Sequence, residues 1–316
     1  MITTPMKILI SGASGFIGTN LRQYLDKHMP GITFCMLVRK KTGAGREVLW
    51  EDLHTTSLDD IDAVIHLAGL AHDTKNTNDD AAYFLVNFEL TKMLYDWFLK
   101  SKAKRFIYVS SVKAIADVVQ GVLTEEAEPS PVTAYGKSKL KAEEYIQQLS
   151  LGVTDKKFYI LRPCMVHGPG NKGNLNLFYK FVLKGLPYPL GAFENTRSFL
   201  SVDNFCFVCE QLLTEDIPSG AYNLADDHPL STKELFNIIA DTSQRKARIW
   251  NIPRGLVRTM ACTGGLFKLP VNAERLEKLT ESYVVCNRKI KAALKIKTMP
   301  VGVKEGIART ISSFEK

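Results

Sequence analysis

The stretch ILISGASGFIG, residues 8–18, starts as an apolar strand and stops on Gly12, Gly15 and Gly18. Glycine belongs where the backbone takes positive φ or where another group must approach it closely. One glycine ends a strand; three at this spacing, leading into a helical pattern over Phe16–His28, expose bare backbone to a ligand. In a strand–turn–helix setting the first glycine permits the turn and the second admits a pyrophosphate. The third lets helix and strand pack together. The helix N-terminus adds free N–H groups and partial positive charge for the phosphates. A dinucleotide-binding turn is expected.

Outward from this turn, apolar runs alternate with amphipathic ones. Lys7–Ile10, Thr33–Val38, Ala63–Leu67, Phe106–Val109 and Phe158–Pro163 read as buried strands, and Asp79–Lys100 and Ala134–Leu149 as helices. That order predicts an α/β fold, a Rossmann-type doubly wound parallel sheet with helices on both faces. Beyond Pro163 the rhythm breaks at HGPGNKGNLN (167–176) and GLPYPLG (185–191). We therefore expect a dinucleotide-binding domain over 1–165 with parts of 204–226. A smaller mixed α/β lobe would take up 166–203 and 227–316, with the site in the cleft between them.

The second strand ends at Val38, followed by Arg39-Lys40-Lys41 with no carboxylate. An acid there accepts the ribose hydroxyls of NAD, whereas a base tolerates the extra phosphate of NADP. Arg39 favours NADP(H), with NAD(H) as the alternative; a basic surface loop is the plainer reading.

The chain of 316 residues is 45% hydrophobic and 23% charged, which excludes wholesale disorder. No uncharged apolar stretch reaches the ~18 residues that span a bilayer. MITTPMKILI lacks a signal-peptide layout, so a cytoplasmic protein is expected. Of six scattered cysteines only Cys206 and Cys209 are close, without the further ligands of a zinc site. They read as two thiols on a buried helix face, and no metal is expected. The net charge is +8, and the basic clusters Arg39-Lys40-Lys41, Lys102–Arg105 and Arg288–Lys297 carry no interleaved aromatics. That argues against nucleic acid and suits a polyanionic small molecule. The stretch NIPRGLVRTMACTGGLF (251–267) could graze a membrane, but lobe core is the preferred reading and no membrane partner is expected.

TAYGKSK places Tyr135 and Lys139 four apart on one helix face, and VSSVKA ends a strand with Ser110 and Ser111. Bringing a tyrosine from a pKa of ~10 to near 7 takes roughly 4 kcal/mol. One ammonium at ~4 Å in an effective dielectric of ~20 has an interaction of that size. Lys139 can thus make Tyr135 a proton shuttle while a serine hydroxyl holds the reacting oxygen.

With GASGFIG, EDL (51–53), IHLAG (65–69), YFLVNFELT (83–91), YVSSVKA, YGKSK and LRPCMVHGPG, the chain resembles the extended short-chain dehydrogenases/reductases. Within them it is similar to the nucleotide-sugar epimerase/dehydratase group. GLPYPLGAFENTRSFLSVDN (185–204) resembles the substrate segment of bacterial surface-polysaccharide enzymes acting at C4 of UDP-sugars. The resemblance implies Ser111, Tyr135 and Lys139 as catalytic residues. It implies cofactor contacts from Gly12, Gly15, Phe16, Ile17, Gly18, Asp52, Leu53, Leu67, Ala68, Gly69, Asn87 and Pro163. It implies Arg197 on the UDP pyrophosphate, with Asn174 as a further substrate candidate. His167 stands where relatives often have tyrosine, and it and Lys113 receive no role; His66 reads as structural. The resemblance also implies a homodimer pairing Asp79–Lys100 and Ala134–Leu149 with their copies in a four-helix bundle.

The expected reaction is hydride transfer at C4 of a UDP-sugar. Reduction of a 4-ketosugar is slightly favoured, 4-epimerisation with retained NAD is the alternative, and a non-catalytic dinucleotide sensor is remote. Dehydratases carry an Asp-Glu pair after the catalytic hydroxyl; here Val112-Lys113 stands there, so elimination is not expected.

Overall fold

The structure, a computed structural model, describes residues 5–70, 80–171, 174–259, 276 and 280–314. Apolar runs buried from end to end make strands that need cover on both faces, as in a parallel sheet. The strands are β1 (Lys7–Ser11), β2 (Thr33–Val38), β3 (Arg46–Leu49), β4 (Ala63–His66), β5 (Arg105–Val109), β6 (Lys157–Pro163) and β7 (Gly220–Leu224). They pair in parallel in the order β7-β6-β5-β4-β1-β2-β3. Successive side chains point to opposite faces. Ile8, Ile10, Ile65 and Ile107 join the core that also holds Leu21 of α1 (Phe16–His28) and Phe205 of α6 (Val202–Thr214). Leu9, Val64, Phe106 and Tyr108 join the core with Leu94 of α3 (Leu90–Lys100) and Ile146 of α4 (Ala134–Leu149). The order reverses between β1 and β4, so the crevice of this doubly wound sheet opens at their carboxyl ends.

The elements expected at 7–10, 16–28, 33–38, 63–67, 106–109, 134–149 and 158–163 are present to within a residue at each end. β3 was not foreseen, being a four-residue edge strand with two charged residues. The helix expected over 79–100 is interrupted: α2 (Asp80–Phe84) passes through a π turn, Leu85–Glu89, into α3. The cause is Asn87, a polar residue on an apolar face and fully buried. Its side chain accepts from Leu70 N–H at 2.7 Å and donates to Leu70 C=O and to Ser138 Oγ. Those bonds offset the disturbed helical ladder.

After β6 the chain builds a third core from α5 (Asn174–Leu183), α7 (Thr232–Thr242) and α9 (Val303–Ser312), α8 being Arg288–Leu294. Leu175, Tyr179, Phe236, Ile239 and Ile307 fill it. The chain returns to the sheet through Phe199–Ser201 and α6, where Cys206 and Cys209 are buried on one face and burial raises their thiol pKa values. His167, fully buried, donates from Nδ1 to Thr310 Oγ1 of α9 at 2.9 Å, because the Thr310 proton is given to Gly306 C=O. It therefore ties the strand Met165–His167 that follows β6 to the last helix.

Beneath the sheet's carboxyl edge, Arg162 of β6 donates to Glu143 Oε2 of α4 from two nitrogens, at 2.9 and 2.6 Å. Ser110 Oγ donates to the other carboxylate oxygen. Removing one member leaves the other charge buried alone. Arg162→Leu is expected to cost ~3–5 kcal/mol of unfolding free energy, and Arg162→Leu with Glu143→Leu much less. Urea denaturation measures both, and equal losses would mean that packing rather than charge dominates.

Candidate active site

Gly12 has φ +71°, and a Cβ there would stand 2.7 Å from Ala68 N. A Cβ at Gly18 would stand 2.3 Å from Gly12 O. Bare backbone is thus required for the β1–α1 turn to lie on Leu67–Ala68 after β4 and for α1 to lie on the turn. Gly15 is the N-cap of α1 and offers no side-chain cap, and the first helical turn holds no acid. Its N–H groups are therefore available to a phosphate. Phe16 and Ile17, both half-buried, start the helix, with Phe16 against the Gly168–Gly170 loop.

Polar groups behind the turn fix its neighbour. Thr91 gives its proton to Asn87 C=O at 2.7 Å, so its oxygen accepts from His66 Nε2–H at 2.8 Å. His66 Nδ1 must then accept from Ser11 O–H at 2.6 Å, and Ser11 Oγ accepts from Ala68 N–H at 3.2 Å. Burial, aided by the Lys139 charge, lowers the His66 pKa to about 3, so the ring is neutral and the relay has one polarity. Sequence reasoning left Ser11 and Thr91 unmarked, because nothing local sets a structural hydroxyl apart from any other.

Ser111 follows β5 and is brought against α4 by another forced contact. A Cβ on Gly136 would lie 2.4 Å from Lys113 O. Asp117 holds the approach to α4, its carboxylate accepting from Val132 N and from Thr133 N and Oγ1. Tyr135 and Ser111 are hydrogen-bonded through their hydroxyls, and Tyr83 packs edge-on at 6.2 Å. Burial raises the Tyr135 pKa and the Ser111 bond acts against it. The expected dominance of Lys139 over the phenol is thus not the balance found here. Lys139 instead donates to Val109 C=O at 2.9 Å and stands 3.0 Å from where a Gly69 Cβ would be; Asn87 Oδ1 is 3.1 Å from the same point. Burial lowers the Lys139 pKa to about 8 while the Glu143 charge raises it.

Other expected residues lie at the carboxyl ends of further strands. Pro163 is buried at the carboxyl end of β6. Asp52 is half-buried in a short 3-10 turn, and Leu53 is wholly in the core, which leaves only its backbone for a ligand. Arg39 is exposed just beyond β2. Arg22, unmarked in the sequence, donates to Ala13 C=O at 3.2 Å and reaches Met36 of β2, adding a cation between the glycine turn and that strand. Glu47 is engaged by the Thr42 hydroxyl and by the N–H groups of Thr42 and Gly43.

In the C-terminal part, Arg197 lines a cavity with Met165, Leu175, Phe178, Phe199 and Leu230. Its Nε donates to Glu281 C=O at 3.0 Å, and burial lowers its pKa. The Asn174 side chain lies outside the described residues. Tyr283, not anticipated, pairs with Arg197 in a β-bridge and donates its hydroxyl to Ala116 C=O at 2.7 Å. Lys113 Nζ lies 4.5 Å from the Tyr283 ring and donates to Asp117 C=O. Tyr283 thus joins the Arg197 strand to the turn that carries Ser111.

Residues 8–225 match the family described as "NAD dependent epimerase/dehydratase family". The UDP-glucose 4-epimerase of Vibrio cholerae is 29% identical over 98% of this chain and 96% of its own. The Bordetella bronchiseptica enzyme WbmG, solved with NAD and UDP, superposes with a TM-score of 0.75 at 20% identity, covering 99% of this chain and 96% of that one. RMD from Pseudomonas aeruginosa, solved with NADPH, gives a TM-score of 0.71 at 21% identity over 98% and 99%. At such identities the superpositions establish the fold. A nicotinamide dinucleotide fits the bare glycine turn and the uncapped helix start.

Holding a charged Lys139 in the interior costs stability. A pKa lowered from 10.5 to about 8 corresponds to ~3 kcal/mol at neutral pH. Lys139→Met should therefore be more stable than the natural protein at pH 7, by ~2 kcal/mol after losing the bond to Val109 C=O. The sign follows from proton binding: between about pH 8 and 10.5 the unfolded lysine holds a proton that the folded one has released. The natural protein's deficit is full below about pH 8 and disappears as pH rises to 10.5. Paired urea titrations at pH 7 and 10 measure this, and a difference independent of pH would contradict it.

Proposed function

Because the chain belongs to the NAD-dependent epimerase/dehydratase family, we propose that it is an oxidoreductase acting at C4 of a UDP-linked sugar. The hydrogen-bonded pair Ser111–Tyr135, with the buried Lys139 ammonium one helical turn along α4 from Tyr135 at the carboxyl ends of β4 and β5, carries this reading. Gly12, Gly15, Phe16, Ile17 and Gly18 would receive the pyrophosphate, with Leu67, Ala68, Gly69, Asp52, Leu53, Asn87 and Pro163 around the rest of the dinucleotide. Bound there, the dinucleotide supplies the hydride donor or acceptor for C4. Tyr135 Oη gives a proton to the C4 oxygen in reduction and takes one in oxidation. Ser111 holds that oxygen by a second hydrogen bond. Lys139 supplies the positive charge that favours the phenolate once Tyr135 has lost its proton. Arg197 and Asn174 would hold the nucleotide diphosphate, and residues 166–203 and 227–316 would act as the substrate lobe beside the 1–165 domain. A homodimer through 80–100 and 134–149 belongs to the same proposal, and Leu85, 62% exposed, would lie in it.

Net reduction of a 4-ketosugar with NADP(H) is slightly favoured over 4-epimerisation with retained NAD. Arg39 and Arg22 flank the end of β2, the place where the extra phosphate would lie. The dissociation constant should be about tenfold lower for NADPH than for NADH, and Arg39→Ala should narrow the gap. Tighter NADH binding would exclude this preference. Tyr135→Phe should bind the dinucleotide normally while turnover falls ~10²–10⁴-fold; undiminished turnover would remove the phenol from the reaction. Interconversion of two UDP-hexose epimers without added cofactor would establish the epimerase reading over net reduction.

A further inference from the structure

The outer surface of the C-terminal part carries a feature that sugar chemistry does not use. Residues 245–258, RKARIWNIPRGLVR, contain five cations and no acid. Residues 174–186 add Lys180 and Lys184, again with no acid. Hydrogen bonds join the first segment to residues 185–188 at the end of the second: Tyr188 N–H donates to Arg248 C=O at 2.7 Å, Trp250 N–H to Tyr188 C=O at 2.9 Å and Arg248 to Gly185 C=O at 3.2 Å. Backbone alternation turns Ile249 into the core and Trp250 outward. Trp250 is 57% exposed and Leu256 56%. On α5, Leu177 and Leu183 are exposed on the same side as Lys180, and Leu186 follows beyond the helix. Among the described residues one acid, Glu194, pairs with these cations, reaching Arg254 at 3.8 Å.

We propose that this face docks the protein on the surface of an anionic lipid bilayer. Large apolar side chains set among lysines and arginines suit the headgroup region. There Trp and Leu enter the acyl boundary and the cations meet lipid phosphates. A second copy of the same face would bring seven cations against seven, which opposes self-association. Contact is superficial: among the described residues no helix is long and apolar enough to cross a membrane. Within 251–267 the expected lobe core holds for Ile252 and Val257, which pack into the third core, while Leu256 faces out with Trp250; residues 260–267 lie outside the described residues. Leu175 and Phe178, on the other side of α5, line the Arg197 cavity, so docking brings that cavity near the lipid surface. The inference rests on this face and is independent of the reaction proposed above.

Flotation of the whole chain with vesicles tests it. Retention is expected on phosphatidylcholine vesicles containing roughly a third phosphatidylglycerol, with loss on phosphatidylcholine alone and at ~0.5 M salt. Trp250 emission should shift to the blue on binding, and Trp250→Ala should weaken retention. Lys184→Glu with Lys246→Glu should weaken binding ~30-fold or more. Turnover of a freely diffusing nucleotide sugar should stay unchanged in both variants. No retention on anionic vesicles, equal retention of the charge-reversed variant, or Trp250 shielded in a lipid-free oligomer would each overturn the proposal.

Discussion

Lys139 keeps its ammonium at 4% exposure, where burial works against the charge and lowers its pKa to about 8. Two features answer that cost. Val109 C=O accepts one of its protons, and Glu143 lies one helical turn along α4. Glu143 is in turn held by Arg162 and Ser110, so the electrostatics of the site reach down into β6. A charge held this way lies at a fixed point at the end of the sheet, and the stability forgone for it is the usual mark of a functional group.

The same edge is organised by close backbone approach. Gly12 on Ala68, Gly18 on Gly12 and Gly136 on Lys113 are contacts that any side chain would prevent. They bring three loops from distant parts of the chain to one crevice. The Ser11–His66–Thr91 relay, anchored on the π-turn carbonyl of Asn87, then orients the Ala68 amide beside the glycine turn. Tyr283 performs a similar service across the molecule, linking the strand of Arg197 to the Ser111 turn. The Arg197 strand and the turn after β5, far apart in sequence, are thereby held together.

Much of this was legible in the sequence because it is written locally. A buried strand announces itself by an apolar run, a helix by its period, and the tight β1–α1 turn by glycines at fixed spacing after a strand. Tyr135 and Lys139 share a helix face by counting alone. Likewise the broken rhythm after Pro163 marked where the sheet gives way to a third core. β3 escaped because four residues at an edge carry too little pattern.

Pairings between distant residues were out of reach. That Tyr135 is balanced by Ser111 and burial, with Lys139 turned to Val109 C=O, depends on how α4 settles on β5. The π turn at Leu85–Glu89 exists because Asn87 finds Leu70 and Ser138, neither of which its own helix could supply. The sequence by itself determined the order of strands and helices, the glycine turn and the chemical types at the site, since each is set by neighbours within a few residues. Only the tertiary structure decided which buried charges and hydroxyls face one another, because desolvation and hydrogen bonding depend on groups brought together from far along the chain.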